Sequence, residues 1–259
     1  MKKRIIAGIA VALALALALP ATAQTPDIDA IKARGVLKVG VKVDVPKFGY
    51  KDAATGVVDG FEIDLARILA TKILGDAKKI DVQGVTAKTR GPLLDNGEID
   101  LVIATFTITE ERKKSYNFSA PYFTDGIGVL VKTAKGFKGI KDLNGKRIGV
   151  AQSATTKKAL TEYGDANGLK FEFAEFNSYP EIKAALDSGR VDAFSVDGAI
   201  LAGYKDASTS YLPERFSPQD YGIASKLTNT GLAKLVSDTV KQLKTSGDLD
   251  KLIAKWELK

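Results

Sequence analysis

A seven-residue pattern occurs twice in this chain, 92 positions apart, and it limits the folds that the chain can adopt. Residues 94–100 (LDNGEID) and 186–192 (LDSGRVD) share the skeleton Leu-Asp-x-Gly-x-(Ile/Val)-Asp. A helix that ends at a glycine and leads into a strand produces such a pattern. Residues 39–41 (VGV) and 148–150 (IGV) form a second matching pair. The repeats favour two lobes built on one plan; the alternative is a common αβ unit that recurs by chance.

Apolar periodicity predicts strands that alternate with helices. Predicted strands cover residues 36–43, 99–104, 147–151, 171–176 and 191–195, and apolar helical stripes run through residues 61–69, 232–243 and 249–256. Thr109 is predicted to begin a charged helix that runs toward Tyr116. The order of elements is typical of an α/β protein. Ligands of open α/β sheets bind at the carboxyl ends of strands, so Thr105, Thr107 and Asp197 are predicted to face one another across a cleft.

The first 23 residues have the features of a secretory signal peptide. Lys2, Lys3 and Arg4 precede an uncharged run over residues 5–19, and a small-x-small cleavage pattern follows at residues 21–23. The apolar run is too short for a membrane span, although an uncleaved anchor is the alternative. No cysteine lies near the cleavage point, which excludes a bacterial lipid anchor. We therefore expect a mature protein in the periplasm.

Composition excludes several kinds of chemistry. The chain has no cysteine and no histidine, so cysteine nucleophiles, serine–histidine triads, disulfides, and thiolate or imidazole zinc sites are ruled out. We predict neither a metal nor a cofactor. The net charge of +7 includes three cations of the signal peptide, and so weakly basic a secreted protein gives no reason to expect nucleic acid as a partner.

Cations stand where helix rules disfavour them. Thr109 has the position of an N-cap, yet Arg112 occupies the third position, where a capping box would place glutamate. Arg90 similarly follows Thr89 at a predicted helix start, and residues 152–158 place two lysines in the first turn of another. A guanidinium beside free backbone N–H groups can bind a carboxylate with two hydrogen bonds. The alternative in each case is an ordinary solvated side chain.

Asp197 supplies the opposite charge. It could cap a helix that begins near Gly198, or it could bind the ammonium of a ligand. A carboxylate, two arginines and several hydroxyls together form a receptor for a zwitterion that carries an additional negative group.

The chain resembles the family 3 periplasmic solute-binding proteins of polar amino acid ABC transporters. The resemblance covers the whole mature chain in order and is carried by residues 60–65 (GFEIDL), 97–100, 107–112 (TITEER), 118–122 (FSAPY) and 141–146 (KDLNGK), and by Trp256 near the end. Residues 87–97 and 104–107 are particularly similar to the aspartate/glutamate-binding members. Gly91 stands where many relatives have a larger apolar residue, which leaves aspartate or glutamate open.

The resemblance implies a role for nine residues in binding L-aspartate or L-glutamate. Arg112 would bind the α-carboxylate with help from Thr107 and Thr155. Asp197 and the Thr105 region would bind the α-ammonium. The remaining residues would line the side-chain end of the ligand: Arg90 and Lys42 as partners of its carboxylate, Tyr179 as a hydroxyl donor and Phe48 as an apolar wall. For Lys42 the alternative is an exposed strand end, for Tyr179 surface packing, and for Phe48 a place in the core.

The family fold implies a two-lobed periplasmic binding protein (type II) with a hinge of two crossovers. Lobe 1 would comprise residues 24–128 and 223–259, and lobe 2 residues 129–222. The protein would be a monomer that delivers its ligand to membrane permease subunits and has no enzymatic activity. The alternatives are a dehydratase-like enzyme on the same scaffold, a binding protein for a neutral amino acid such as glutamine, and an additional sensor or adhesin role.

Overall fold

A computed structural model describes residues 26–258 of the chain. The predicted signal peptide therefore lies outside the described residues. Within them, the chain forms two open α/β sheets and a small antiparallel sheet of β2 (Asp44–Val45), β3 (Gly49–Lys51) and β4 (Val58–Asp59). None of the helices in residues 26–258 combines the length and apolar character that crossing a membrane requires.

The first sheet has β1 as its central parallel strand. β1 (Leu37–Val41) pairs in parallel with β5 (Ile80–Gly84) and β6 (Leu101–Ile103), and the antiparallel strands β14 (Ala224–Lys226) and β7 (Tyr116–Phe118) extend the sheet beyond β6. The helices of this part of the chain are α1 (Pro26–Arg34), α2 (Phe61–Leu74), α3 (Arg90–Asn96), α4 (Glu110–Lys113), α8 (Thr230–Thr245) and α9 (Asp248–Lys255). We refer to this unit as the first lobe.

The second sheet repeats this arrangement around β9. β9 (Arg147–Ala151) pairs in parallel with β10 (Glu172–Phe176) and β11 (Ala193–Asp197). β8 (Phe123–Lys132) pairs antiparallel with β11, with β12 (Thr209–Tyr211) and with β13 (Phe216–Tyr221). The helices of this second lobe are α5 (Thr156–Asn167), α6 (Tyr179–Asp187) and α7 (Gly198–Ala202), and two 3-10 helices cover Thr133–Lys135 and Ile140–Leu143.

The sequence repeat corresponds to this structural repeat. Each copy of the pattern contains the end of a helix (α3 or α6), a glycine with positive φ (77° at Gly97, 74° at Gly189) and the approach to a parallel strand (β6 or β11). The matching Gly40 and Gly149 lie in the two central strands. A Cβ at Gly40 would meet Ile99 at 2.5 Å, and one at Gly149 would meet Ile182 at 2.6 Å. At both positions an isoleucine side chain packs directly against the strand and would have to shift to admit a Cβ. The predicted α/β two-lobed fold is confirmed.

Two segments connect the lobes. The chain enters the second sheet at Phe123, the start of β8, and leaves it at Tyr221, the end of β13; these two residues are paired in register. The predicted boundary between residues 128 and 129 falls inside β8, because the first half of that strand already pairs with β13. The boundary between residues 222 and 223 falls between β13 and β14.

Two local predictions differ from the structure. The charged helix that begins after Thr109 ends at Lys113, because the chain turns into β7 at Tyr116. The strand predicted over residues 191–195 is Ala193–Asp197, so Asp197 ends the strand itself. Its carboxylate therefore lies at the carboxyl edge of the second sheet.

Candidate functional site

The candidate site is the cleft where the carboxyl ends of β1 and β6 face those of β9 and β11. Direct contacts close it. Arg112 Nη2 donates to the main-chain oxygen of Ser153 at 3.1 Å, and the Tyr204 hydroxyl donates to the main-chain oxygen of Asp44. The main-chain N–H of Tyr179 also donates to the Asp44 carboxylate at 3.4 Å. The two lobes are therefore closed on each other.

Arg112 is positioned by the short helix α4. Its main-chain N–H is capped by the Thr109 hydroxyl at 3.1 Å, and its Nη1 donates to the main-chain oxygen of Thr107 at 2.8 Å. Burial lowers the pKa of Arg112 to about 9, and the nearby charge of Arg90 acts in the same direction. The guanidinium is thus a half-buried cation at the mouth of the cleft, held in place by two main-chain oxygens.

Arg90 begins α3 and is 3% exposed. Its Nη1 donates to the main-chain oxygens of Ala104 at 2.6 Å and Thr105 at 3.1 Å, and its Nε is buried without a hydrogen-bond partner among the described residues. Burial lowers its pKa. The Phe106 ring lies beside both guanidinium groups, 4.1 Å from that of Arg90 and 4.7 Å from that of Arg112. Such cation–π contacts hold planar cations in fixed orientations.

Thr105 adopts a left-handed conformation with φ of 45°, which is uncommon for a threonine. Its main-chain N–H donates to Glu62 Oε1 at 2.6 Å, and Tyr122 donates to the same oxygen at 2.5 Å. Burial raises the pKa of Glu62 to about 7 against these hydrogen bonds and the charges of Lys42 and Arg90. Glu62 is a site residue that sequence reasoning missed, although it belongs to the GFEIDL segment that carries the resemblance.

Lys42 is 2% exposed, so its alternative interpretation as a solvated strand end is wrong. Its Nζ lies 2.9 Å from the Asp44 carboxylate and 4.6 Å from the centroid of the Tyr179 ring. Burial lowers the pKa of Lys42, and Asp44 opposes that change. Tyr179 is itself buried, 4% exposed, at the start of α6. The contact between Lys42 and Tyr179 joins the two lobes. The ion-pair partner of Lys42, Asp44, is a residue that sequence reasoning missed.

Asp197 is buried and accepts a hydrogen bond from the Tyr221 hydroxyl. Its carboxylate makes no capping hydrogen bond with α7, so the capping interpretation is wrong. Burial raises the pKa of Asp197 to about 7, with Asp125 adding to the shift and the charges of Arg90 and Arg112 opposing it.

The hydroxyls of Thr107 and Thr155 share one hydrogen-bond acceptor. Both hydroxyls donate to Oε1 of Gln219, at 2.9 Å from Thr107 and 2.7 Å from Thr155. The structure thus brings the predicted hydroxyls of the two lobes together. Gln219 is a residue without any local sequence signal for this role.

Phe48 lies in the apolar core, one layer behind the polar groups. It is fully buried and packs edge-on against Phe61, Phe123 and Tyr221. Phe48 therefore packs against Tyr221, the residue whose hydroxyl donates to Asp197. Gly91 faces Tyr116, since a Cβ there would meet the Tyr116 hydroxyl at 2.7 Å. That close approach explains the glycine.

The arrangement suits binding of a small charged molecule. Among residues 26–258, no group of acidic side chains has the geometry of a metal site. The same residues place no carboxylate within 4.0 Å of either Arg90 or Arg112 as an ion-pair partner. Arg90 and Arg112 are thus cations without an acidic ion-pair partner among residues 26–258, and Asp197 is a buried carboxylate near them.

Comparison with known families identifies the chain. Residues 37–259 match the model of bacterial extracellular solute-binding proteins, family 3. The chain belongs to this family, whose members act in the periplasm or outside the cell. The predicted family membership is confirmed.

Characterised relatives share most of their length with this chain. The ABC transporter glutamine-binding protein GlnH of Bacillus subtilis is 39% identical over 231 residues, which cover 88% of this chain and 83% of the relative. The glutamine-binding protein of Geobacillus stearothermophilus is 42% identical over 222 residues, 84% of this chain and 83% of the relative. The glutamate/aspartate import solute-binding protein of Salmonella typhimurium is 29% identical over 248 residues, 92% of this chain and 80% of the relative. The predicted kinship with aspartate/glutamate-binding members stays a prediction.

Solved structures give the same fold. An ancestral arginine-binding protein bound to glutamine superposes with a TM-score of 0.77 at 36% identity, covering 86% of this chain and 98% of that protein.

Proposed function

We propose that this chain is the periplasmic amino-acid-binding component of an ABC importer and that its ligand is acidic, L-aspartate or L-glutamate. The observation that carries the proposal is Arg90, a buried guanidinium that donates only to main-chain oxygens and has an unpartnered Nε among the described residues. An unpaired buried cation is costly. A carboxylate at the side-chain end of the ligand would neutralise the charge of Arg90. A neutral amide could accept a hydrogen bond but would leave that charge unpaired.

The cleft offers a separate partner for each charged group of such a ligand. Arg112 would bind the α-carboxylate at the junction of the lobes, where it already contacts Ser153. Asp197 would bind the α-ammonium, since it is buried beside two arginines and has only the Tyr221 hydroxyl as a hydrogen-bond donor among the described residues. Arg90, with Lys42 on the same lobe, would receive the side-chain carboxylate.

Ligand capture would work by a shift of populations. Arg90, Arg112 and Lys42 belong to the first lobe, and Asp197 and Tyr179 to the second. A zwitterion that contacts both sets is bound fully only when the cleft is closed, so it favours the closed form. Closure about the two connecting segments would bury the ligand and present one shape to the permease. A monomer suffices for this cycle.

Glutamine is the second candidate ligand. It is favoured by the two relatives at 39% and 42% identity, which are named for glutamine. The same α-amino and α-carboxylate contacts would serve both ligands. The choice between them depends on the side-chain end, where Lys42 is already paired with Asp44 and Arg90 is not paired.

A dehydratase on this scaffold would need a carboxylic acid that donates a proton in the cleft. Asp197 paired with an α-ammonium is ionised and cannot do so, and Glu62, the other carboxyl group here, is fully buried and bound by the Thr105 N–H and the Tyr122 hydroxyl. Both glutamine-binding relatives are named as binding proteins. Saturable binding without product formation is therefore the expected behaviour.

The test is a thermal-shift panel of the twenty amino acids on the secreted protein, followed by calorimetric titration with glutamate, aspartate and glutamine. A ligand that binds only the folded state raises the apparent stability. We expect glutamate or aspartate to bind at least about tenfold more tightly than glutamine, which corresponds to about 1.4 kcal/mol. Tighter binding of glutamine would contradict the proposal of an acidic ligand. New products after prolonged incubation would support the dehydratase alternative.

A further inference from the structure

We propose that Gln219 is a positioning residue that orients the threonines of both lobes and thereby couples lobe closure to ligand binding. The inference rests on the proposed ligand site but not on which amino acid occupies it. Gln219 lies in β13, next to the segment that connects the lobes, and is 2% exposed.

The orientation of the Gln219 amide is fixed by Ser217. Its Nε2 donates to the main-chain oxygen of Ser217 at 2.8 Å and to the Ser217 hydroxyl at 3.3 Å. A carbonyl oxygen can only accept a hydrogen bond, so the amide nitrogen must face Ser217 and Oε1 must face the cleft.

Ser217 has a left-handed main-chain conformation, which is unusual for a serine in a strand. Its φ is 49°, and the pairing of β13 with β8 shifts register between Phe216 and Pro218. Such irregularities in a strand re-aim neighbouring groups and occur next to functional sites. Here the irregularity places the oxygen of Ser217 under the amide of Gln219.

Gln219 Oε1 accepts the hydroxyl protons of Thr107 and Thr155. Each hydroxyl has one proton, so a hydroxyl that donates it to Gln219 can only accept from a ligand donor such as the α-ammonium. It cannot at the same time donate to the α-carboxylate, which corrects the expected role of Thr107 and Thr155 beside Arg112. Thr107 follows β6 of the first lobe, and Thr155 follows β9 of the second. Both bonds exist together only when the lobes are closed, because one amide oxygen must reach both.

The main chain reinforces this link on the side of Thr107. Thr107 forms an isolated bridge with Tyr221, and the N–H of Ile108 donates to the oxygen of Asp220 at 2.8 Å. The first lobe is therefore fastened to the end of β13, whereas Gln219 itself pairs with β8 in the second sheet and belongs to the second lobe. Because Gln219 and Thr155 belong to the same lobe, opening of the cleft must break or lengthen the bond from Thr107.

The main experiment compares Gln219→Met with the wild-type protein by calorimetric titration with L-glutamate and L-glutamine. Methionine has a similar size but accepts neither proton. Two lost hydrogen bonds should weaken both ligands to a similar extent, by about tenfold. In a Thr155→Val background the same change should cost only about threefold, because one of the two bonds is already gone. Equal losses in the two backgrounds, or no loss at all, would overturn the proposal.

A second readout needs no ligand and separates this inference from the proposed function. The chain has no cysteine, so spin labels at Glu98→Cys in the first lobe and Asp165→Cys in the second are specific. Both positions are exposed. Electron–electron distance measurements should show a smaller closed population in Gln219→Met than in wild type. An unchanged distribution would overturn the inference, whereas failure of the wild type to bind either amino acid would overturn only the proposed function.

Gln242→Met provides the matched control. Gln242 Oε1 accepts from Lys72 at 2.8 Å on the outer surface of the first lobe. This variant should leave both the affinities and the distance distribution unchanged. Equal effects of the two substitutions would show that Gln219 has only a general structural role.

Discussion

Arg112 and Ser153 belong to opposite lobes, and the guanidinium of Arg112 donates to the main-chain oxygen of Ser153 at 3.1 Å. The other terminal nitrogen of the same guanidinium donates to Thr107 of its own lobe at 2.8 Å. One side chain thus bonds both lobes at the point where the ligand carboxylate is proposed to bind, so these bonds depend on the distance between the lobes. The two bonds come from separate nitrogens of its planar fork, whereas a lysine would have to make both from a single ammonium nitrogen.

We therefore expect Arg112→Ala to weaken every amino acid ligand by about two to three orders of magnitude, since the α-carboxylate would be buried without its partner. Isothermal titration calorimetry measures the loss. Lys113→Ala is the control, because among residues 26–258 the ion-pair partner of Lys113 is Glu110 on the surface of the same helix. Retained affinity in Arg112→Ala would show that Arg112 does not bind the ligand carboxylate.

Arg90→Met should separate acidic from neutral ligands. A hydrogen bond to a charged group contributes about 1.5 to 3 kcal/mol, so glutamate should bind about 10- to 100-fold more weakly. Glutamine should lose less than about threefold. The two affinities are measured by calorimetry on the same preparation.

Arg90 also holds the main-chain oxygens of Ala104 and Thr105, so the variant could disturb the site in general. Equal losses for glutamate and glutamine would indicate that disturbance and would contradict a role in specificity. Arg34→Met, which removes a surface ion pair with Asp100 far from the cleft, should leave both affinities unchanged.

Local patterns predict the α/β lobes and single out Arg90 and Arg112, whereas Lys42 comes only from the family resemblance, and the partners of these cations are not predicted. Arg112 and Arg90 were found because each breaks a helix rule within a few residues, and the repeat located β6 and β11. Gln219 is 112 residues from Thr107 and 64 from Thr155, so no local pattern could connect them. Glu62 and Asp44 were missed for a similar reason: their roles depend on burial against distant segments.

Binding should weaken as the pH falls below about 7. Burial raises the pKa of Asp197 to about 7, and Asp125 adds to the effect, against the hydrogen bond from Tyr221 and the charges of both arginines. An ammonium requires the ionised carboxylate, so below pH 7 the ligand must displace a proton. The affinity should fall by up to about tenfold per pH unit, as one displaced proton requires. Titrations between pH 5.5 and 8.5 measure this slope.

Glu62→Gln distinguishes Asp197 from the other carboxyl group whose pKa is about 7. Glutamine can still accept hydrogen bonds from Thr105 and Tyr122 through its amide oxygen. The slope should persist in this variant. Its disappearance would identify Glu62 as the titrating group.

The same two carboxyl groups should make the unliganded protein less stable at pH 8 than at pH 5. Their pKa values are raised in the folded protein, so the native state binds more protons than the unfolded state between about pH 4 and 7. The free energy of unfolding then falls as the pH rises through this window, by at most about 1.4 kcal/mol per pH unit for each group. Asp64 and Asp206 have lowered pKa values and titrate below the window. Urea unfolding measures the trend, which should become shallower in Asp197→Asn; an unchanged slope would exclude Asp197 as a contributor.

Lobe closure can be altered at Gly203 without changing a proposed ligand contact. Gly203 follows α7 of the second lobe and has φ of −73°, a value that alanine adopts freely. A Cβ at this position would lie 2.8 Å from two ring carbons of Pro46, which belongs to the first lobe. The proline ring is stiff, so the lobes themselves must separate to make room.

Gly203→Ala should therefore leave the free energy of unfolding within about 0.5 kcal/mol of wild type, as expected for a substitution at the surface. It should weaken glutamate and glutamine alike by roughly tenfold, which corresponds to about 1.4 kcal/mol of hindered closure. Calorimetry and urea unfolding measure the two quantities, and Ala202→Ser, at the exposed neighbouring position, is the control. If Gly203→Ala binds as tightly as wild type, the contact with Pro46 does not limit closure and the lobes close less tightly in solution.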